Sequence, residues 1–186
     1  MIYKFLLLSD EVETFSREIC IDSEATFLEL NDAILNSVNY TKDQITSFFI
    51  CEDDWEKREE ITLIEMDSSS DEDIWLMEDT RLSELIEDEH QRLLFVFDMM
   101  ADRSFFMELR EIELGKNLID PLCTKVKGKA PKQIMSLEEL DKKIIASTPS
   151  IDLDDDDFGI EGGYNPDELD TEGFSDMDFS DDNGGY

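Results

Sequence analysis

One histidine, His90, stands in a chain of 186 residues, so histidine-based catalysis or a histidine-rich metal site has little to be built from. It falls in the charged stretch Glu87-Asp88-Glu89-His90-Gln91, where an exposed loop histidine is expected rather than a general base held in a pocket. Cysteine is equally sparse. Cys20, Cys51 and Cys123 are far apart and odd in number, and no C-x-x-C pair appears. That pattern predicts reduced thiols in a cytosolic protein, with neither a disulfide framework nor a tetrahedral zinc site. No apolar run approaches the roughly 18 residues of a spanning helix. The N-terminus, MIYKFLLLSDE, lacks the longer apolar core and small-residue cleavage site of a signal peptide, so the expectation is a cytoplasmic protein without membrane association.

Positive charge is the scarcest commodity. Sixteen Lys and Arg face 49 Asp and Glu, a formal net charge of −33. The last forty residues, 147–186, contain no Lys, Arg or His and supply fourteen acids, which leaves −19 for residues 1–146. Phe158, Tyr164, Phe174, Met177, Phe179 and Tyr186 are spaced among those acids. Such a run cannot bury enough apolar surface to offset its ordering entropy and is predicted to be a disordered tail. Its charge excludes nucleic acid and anionic membranes as partners and favours a basic protein. Phe158, Tyr164, Phe174, Phe179 and Tyr186 are its candidate partner-binding anchors, and Trp55 and Trp75, which flank the acidic loop Asp67 to Asp73, are candidates in the body. The Asp152–Asp157 run lacks the Gly and Glu placement of a calcium loop, so weak cation condensation is expected there.

The rest of the chain alternates strand and helix signals. Ile2 to Leu8 is almost wholly apolar, which suits a strand buried on both faces. Phe15, Arg17, Ile19 and Ile21 alternate with polar neighbours, so an antiparallel hairpin is expected. Thr26 and Glu29 have capping-box spacing ahead of a helix whose Phe27, Leu30, Ile34, Leu35 and Val38 form one apolar face. Ile45 to Cys51 and Ile61 to Met66 read as strands, with the charged Glu52 to Glu60 between them. Arg81 to Glu87 reads as a short helix with Thr80 as its cap. Leu93 to Asp98 and Phe105 to Ile112 form the strongest strand pair, with Phe105, Met107 and Leu109 sharing one face.

From Lys116 to Lys143 the charge changes sign, with seven Lys against four acids. Pro121, Gly128 and Pro131 predict that the first part of this segment is irregular. Ser136 and Glu139 then form a second capping box ahead of a short helix striped by Leu137, Leu140 and Ile144. Lys125 to Lys132 precede the acids at Asp152 by about twenty residues, a tether that predicts a loose, salt-screened association of the tail with this basic strip.

The hairpin Phe95-Val96-Phe97-Asp98-Met99-Met100, followed by Phe105, Met107 and Leu109, resembles the plasmid pRiA4b ORF-3-like family over roughly residues 1–132. That family carries an aromatic–Asp–aromatic–Gly–Asp hairpin and then Trp and His on alternating positions of the next strand. Phe97-Asp98 fits. Met100 stands in place of the Gly, Ala101 of the Asp, and Arg103 and Phe105 of the Trp and His. Leu82 and Leu85 match the family's short leucine helix. Lys125 to Gln133, with Gly128, Ala130 and Pro131, matches its Gly- and Pro-rich stretch, without the acids that follow the proline. The resemblance implies an α+β fold and no established activity, and it carries no site across.

The expected fold class is therefore α+β: a mixed or mostly antiparallel sheet packed by one main helix, with short extra helices and a disordered acidic C-terminal tail. The expected divisions are a domain at 1–135, a short amphipathic helix at 136–146 and the tail at 147–186. The leading functional expectation is a non-enzymatic interaction or accessory protein without a cofactor, metal or catalytic residue, whose tail docks on a basic partner. One alternative is a metal-dependent enzyme using the carboxylates Asp98, Asp102 and Glu108. The other is nucleic-acid association through Lys125, Lys127, Lys129 and Lys132, which the charge of the body opposes.

Overall fold

The computed structural model describes residues 1–64, 75–136 and 138–142. All of these lie in the first of the two units into which the chain divides, Met1–Ser147 and Thr148–Tyr186. The fold is α+β, built on a mixed sheet with few helices.

The first two strands, β1 (Ile2–Leu8) and β2 (Ser16–Asp22), pair antiparallel with Leu7 opposite Arg17. The helix α1 (Phe27–Val38) follows, and its capping box forms: Glu29 N donates to Thr26 Oγ1 at 3.3 Å and Thr26 N donates to Glu29 Oε2 at 2.8 Å. Asn39 ends the helix in the left-handed region at φ 57°. Phe27, Leu30, Ile34, Leu35 and Val38 are all buried. So is Asn31, whose Oδ1 accepts a 2.8 Å hydrogen bond from Thr46 Oγ1, which is how a polar side chain is tolerated on the apolar stripe.

The remaining elements are β3 (Ser47–Cys51), β4 (Lys57–Thr62), β5 (Trp75–Leu76), α2 (Leu82–Leu85), β6 (Arg92–Asp98), β7 (Arg103–Glu113) and β8 (Leu122–Lys127). The strands form one sheet in the order β5-β4-β3-β6-β7-β1-β2-β8. Every pairing is antiparallel except the short parallel one between β4 and β5. The core lies on the α1 side. Phe5, Leu7, Ile19, Phe48, Phe95, Phe105, Met107 and Leu109 face the helix from five strands. Each fully buried Phe among them contributes about 1.5–3 kcal/mol. The aromatic rings interlock: Phe27 meets Phe48 at 5.4 Å edge-on, and Phe97 lies 4.6 Å from Phe105.

Four sequence expectations are corrected. First, β1 is not buried on both faces. Tyr3, Phe5 and Leu7 are buried, but Leu6 is half-buried and Leu8 is 43% exposed, because neither α1 nor α2 lies on the second face. Second, β4 begins at Lys57 rather than Ile61. Its first three residues are exposed, and their charges find partners: Arg58 Nε donates to Glu52 at 2.9 Å, and Lys57 lies 4.5 Å over the Phe49 ring. A charged strand near the sheet edge carries no apolar alternation to read. Third, Thr80 does not cap α2. Arg81 occupies that position without a side-chain bond, while Thr80 is buried with its carbonyl accepting from Phe27 N at 3.0 Å. Fourth, the basic segment is not irregular throughout, since Leu122–Lys127 form the edge strand β8. The second capping box does form, with Glu139 N donating to Ser136 Oγ at 3.3 Å ahead of a helical turn at 138–142. Leu137 and Ile144 of its stripe lie outside the described residues, as do the loop at 67–73 and the entire 147–186 segment.

Candidate functional site

Antiparallel register writes a row of side chains straight across the helix-free face. Phe49 lies opposite Leu94, Leu94 opposite Phe106, and Phe106 opposite Leu8, so β3, β6, β7 and β1 each contribute one apolar residue. The next row on this face carries the polar pair Arg92 and Glu108 between Cys51 and Leu6. Leu94 is nearly buried, Phe49 and Phe106 are half-buried, and Leu8 is exposed.

Trp55 is pinned onto this row. It sits in the β3–β4 connection, where Trp55 N donates to Glu52 O at 3.0 Å and Glu52 N to Glu56 O at 3.0 Å. Its φ of 70° puts a bulky non-glycine residue in the left-handed region, a conformation that surrounding contacts must hold. Those contacts are visible: the indole meets the Phe106 ring edge-on at 4.9 Å, and the Arg92 guanidinium lies 5.2 Å from its centre. Glu52, Asp53, Asp54 and Glu56 around it are exposed. Trp75, the other tryptophan candidate, packs half-buried against the edge of the core. The two are thus placed differently, one presented on the open face and the other tied to the interior.

Beside the row lies a cleft of about 500 Å³, floored by Leu94, Ser104 and Phe106 and bounded by Lys57, Glu11 and Met135. Arg103 closes one end. It is 4% exposed and makes a two-pronged contact with Glu11, Nε to Oε1 at 2.6 Å and Nη2 to Oε2 at 2.9 Å. It also donates to Asp98 Oδ2 at 3.2 Å and to the carbonyls of Lys132 at 2.7 Å and Gln133 at 3.4 Å. Burial opposes its charge, but the Glu11 and Asp98 carboxylates outweigh burial and raise its pKa. Arg103 therefore fastens segment 132–133 to the β6–β7 hairpin. Sequence reasoning missed this role, although one signal was available: Asp98 and Arg103 flank a short turn and are register partners across it.

The three carboxylates of the enzyme alternative are not brought together around a common point. Asp98 serves Arg103 and accepts from Ala101 N at 3.2 Å, Asp102 pairs with Lys57 at 3.3 Å, and Glu108 meets His90 Nδ1 at 2.9 Å and Arg110 Nε at 3.3 Å. Among the described residues no group of three or more His, Cys, Asp or Glu is placed to hold a metal ion. His90 itself is a loop residue at φ 73° with its side chain 68% exposed. Cys20, Cys51 and Cys123 are all free thiols, and burial pushes the pKa of Cys20 and Cys51 up, away from the reactive thiolate.

Lys125 and Lys127 are exposed on β8, with Lys129 and Lys132 exposed just beyond it. Phe158, Tyr164, Phe174, Phe179 and Tyr186 lie outside the described residues, and with them any association of the tail with the basic strip. Among the described residues no helix is long and apolar enough to cross a membrane.

Residues 4–138 match the family model described as "Plasmid pRiA4b ORF-3-like protein". Among solved structures, the chain is similar to a protein of unknown function, MM3350, from Methanosarcina mazei Go1. The two share 18% identity and superpose with a TM-score of 0.53 over 67% of this chain and 68% of that one, a likeness of fold. No curated protein matches it significantly.

Proposed function

The chain belongs to the plasmid pRiA4b ORF-3-like family, and from that premise we propose that it is a non-enzymatic interaction or accessory protein, acting in the cytoplasm. It docks a basic partner protein through its acidic, aromatic-bearing residues 147–186 and through the helix-free face of its sheet. The observation that carries the reading is that face. The row Phe49–Leu94–Phe106–Leu8 is apolar, Trp55 is held on it by Phe106 and Arg92, and exposed acids surround Trp55. Of the exposed acids beside this aromatic anchor, only Glu52 is ion-paired among the described residues, with Arg58, and the acids Asp53, Asp54 and Glu56 suit a partner of the opposite sign. The separate pairing of Asp98, Asp102 and Glu108 with cations weakens the metal-enzyme alternative, because each carboxylate would have to give up its partner to reach a shared ion.

The test uses a fluorescently labelled Arg- and Lys-rich peptide. It should bind the full chain, and both deletion of residues 147–186 and Trp55→Ala should weaken binding, each by at least about tenfold, the 1.4 kcal/mol of one aromatic anchor. Thermal melts of both variants establish that the body remains folded. Unchanged affinity in both folded variants would refute the reading.

A further inference from the structure

β8 closes one end of the sheet. β2 pairs with one of its edges, and among the described residues no strand pairs with the other. The register against β2 sorts its side chains, since residues opposite one another share a face. Ile19, buried in the core, lies opposite Cys123, and Arg17, whose Nε donates to Ser37 O near the end of α1 at 3.2 Å, lies opposite Val126. Cys123 and Val126 therefore stand on the α1 side. Glu18 lies opposite Lys125 and Ser16 opposite Lys127, which places both lysines on the helix-free side. Thr124 is the extra residue at the register shift, and its hydroxyl donates to Glu18 Oε1 at 2.7 Å. Val126 is 65% exposed and both lysines are exposed. On the α1 side, a groove of about 410 Å³ runs between the helix and the start of β8, lined by Ala33, Asn36, Pro121 and Cys123 with the acids Glu29 and Asp32.

We propose that the open edge of β8 accepts an extended acidic segment of a partner protein, added as a further strand, in which acids alternate with apolar residues. The backbone groups on the outer edge of β8 supply the ladder, and alternate side chains supply the selectivity. Acids on one side of the incoming strand fall beside Lys125 and Lys127. Apolar residues on its other side fall beside Cys123 and Val126, above Ala33. An acid placed out of phase would face Glu29 and Asp32, whose charges already serve the helix cap and Lys42. The edge thus reads the alternation as well as the charge. The same lysines keep β8 from pairing with a second copy of itself, because Lys would meet Lys across the new ladder. Lys127 continues the helix-free row two strands beyond Leu8, through Ser16, but Trp55 lies at the far end of that row, over Phe106 and Arg92, so amide shifts at 122–127 and the Trp55→Ala variant report on different sites.

The experiment uses the full chain and two blocked, labelled hexapeptides of one composition: three Asp-Val repeats, and the isomer with three Asp followed by three Val. Anisotropy is read at about 150 mM salt, where surface attraction beyond about 8 Å is screened. The alternating peptide should bind at least tenfold tighter than the block isomer and shift the backbone amides of residues 122–127. Any competition from the chain's own acidic residues scales both peptides alike. The double variant Lys125→Glu/Lys127→Glu, both positions being exposed, should melt like the parent, lose the Asp-Val peptide and gain affinity for three Lys-Val repeats. Equal affinity for the two isomers would overturn the proposal. So would amide shifts elsewhere on the sheet, concentration-dependent self-association through β8, or tighter binding of a single-stranded oligonucleotide than of the alternating peptide.

Discussion

Gly128 offers the sharpest test of how the basic segment is fixed to the body. Its φ is +67°, and a Cβ built there would lie 2.5 Å from Thr14 O, 2.8 Å from Thr14 C and 3.0 Å from Phe15 N. All three are backbone atoms of the turn leading into β2, so no rotamer change relieves them. Retreat of residue 128 is blocked as well, because Gly128 O accepts from both terminal nitrogens of Arg17 at 3.2 Å and Lys127 O accepts from Nη1 at 2.8 Å. Gly128→Ala should therefore cost about 1–2 kcal/mol for the left-handed backbone and about 1–3 kcal/mol for overpacking, together about 2–5 kcal/mol. For a domain of this size that lowers the melting temperature by roughly 5–15 °C. Gly115→Ala is the matched control: φ is +73°, but nothing lies within 4 Å of its Cβ position, so only the backbone cost applies. Urea unfolding of both variants separates the contributions. Equal destabilisation by the two substitutions would refute the close approach at Thr14.

Arg103→Met should destabilise by about 3–5 kcal/mol in the same assay, because it strands the Asp98 carboxylate and the Lys132 carbonyl at a buried site. Arg103→Lys should recover only part of that, since an ammonium cannot reproduce the two-pronged contact with Glu11. Tyr3→Phe should cost about 1 kcal/mol by removing the buried 2.7 Å bond to Ile86 O. Glu139 is held down to about 2 from an ordinary 4.5, first by Ser136 N, then by the Ser136 hydroxyl and Lys132. Its folded-state pKa is lowered, so its stabilisation of the 138–142 turn is complete above 4.5 and lost as pH falls toward about 2. Carboxyl NMR titration should find that midpoint, and Ser136→Ala should move it upward toward 4.5.

What the sequence reveals depends on whether burial leaves a periodic trace. α1 was legible because Thr26 and Glu29 bracket its first turn and its apolar residues recur at helical spacing. β6 and β7 were legible because Phe105, Met107 and Leu109 alternate with polar neighbours. The first half of β4 was not, because Lys57, Arg58 and Glu59 are solvated and have no apolar side to betray them; β8 was not, because its short run is mostly exposed and flanked by Pro121 and Gly128, which read as loop. β5 is a two-residue parallel pairing, too short for any pattern. The candidate face was half legible. Trp55 stood out as a residue type, but its seat on Phe106 depends on a long-range register and a positive φ that no local sequence encodes. Arg17 and Arg103 fall in phase with the buried residues of β2 and β7, but their charge argues against burial from sequence alone, and both are buried against backbone carbonyls. A buried guanidinium announces itself only when its acceptors are known.

The strand order also sets a schedule for synthesis. β1 lies between β2 and β7, and its Leu7 meets Met107, one hundred positions later. At roughly 5–20 residues per second, the first hairpin waits some 5–20 seconds on the ribosome before β7 arrives. Throughout that interval the run Ile2–Leu8 has one open edge and no completed core beneath it. A chain arrested before β7 is made would present that apolar edge to its neighbours, the geometry from which aggregation starts. The price of placing the N-terminal strand inside the sheet is a dependence on finishing translation promptly, or on a chaperone that covers β1 until β7 takes its place.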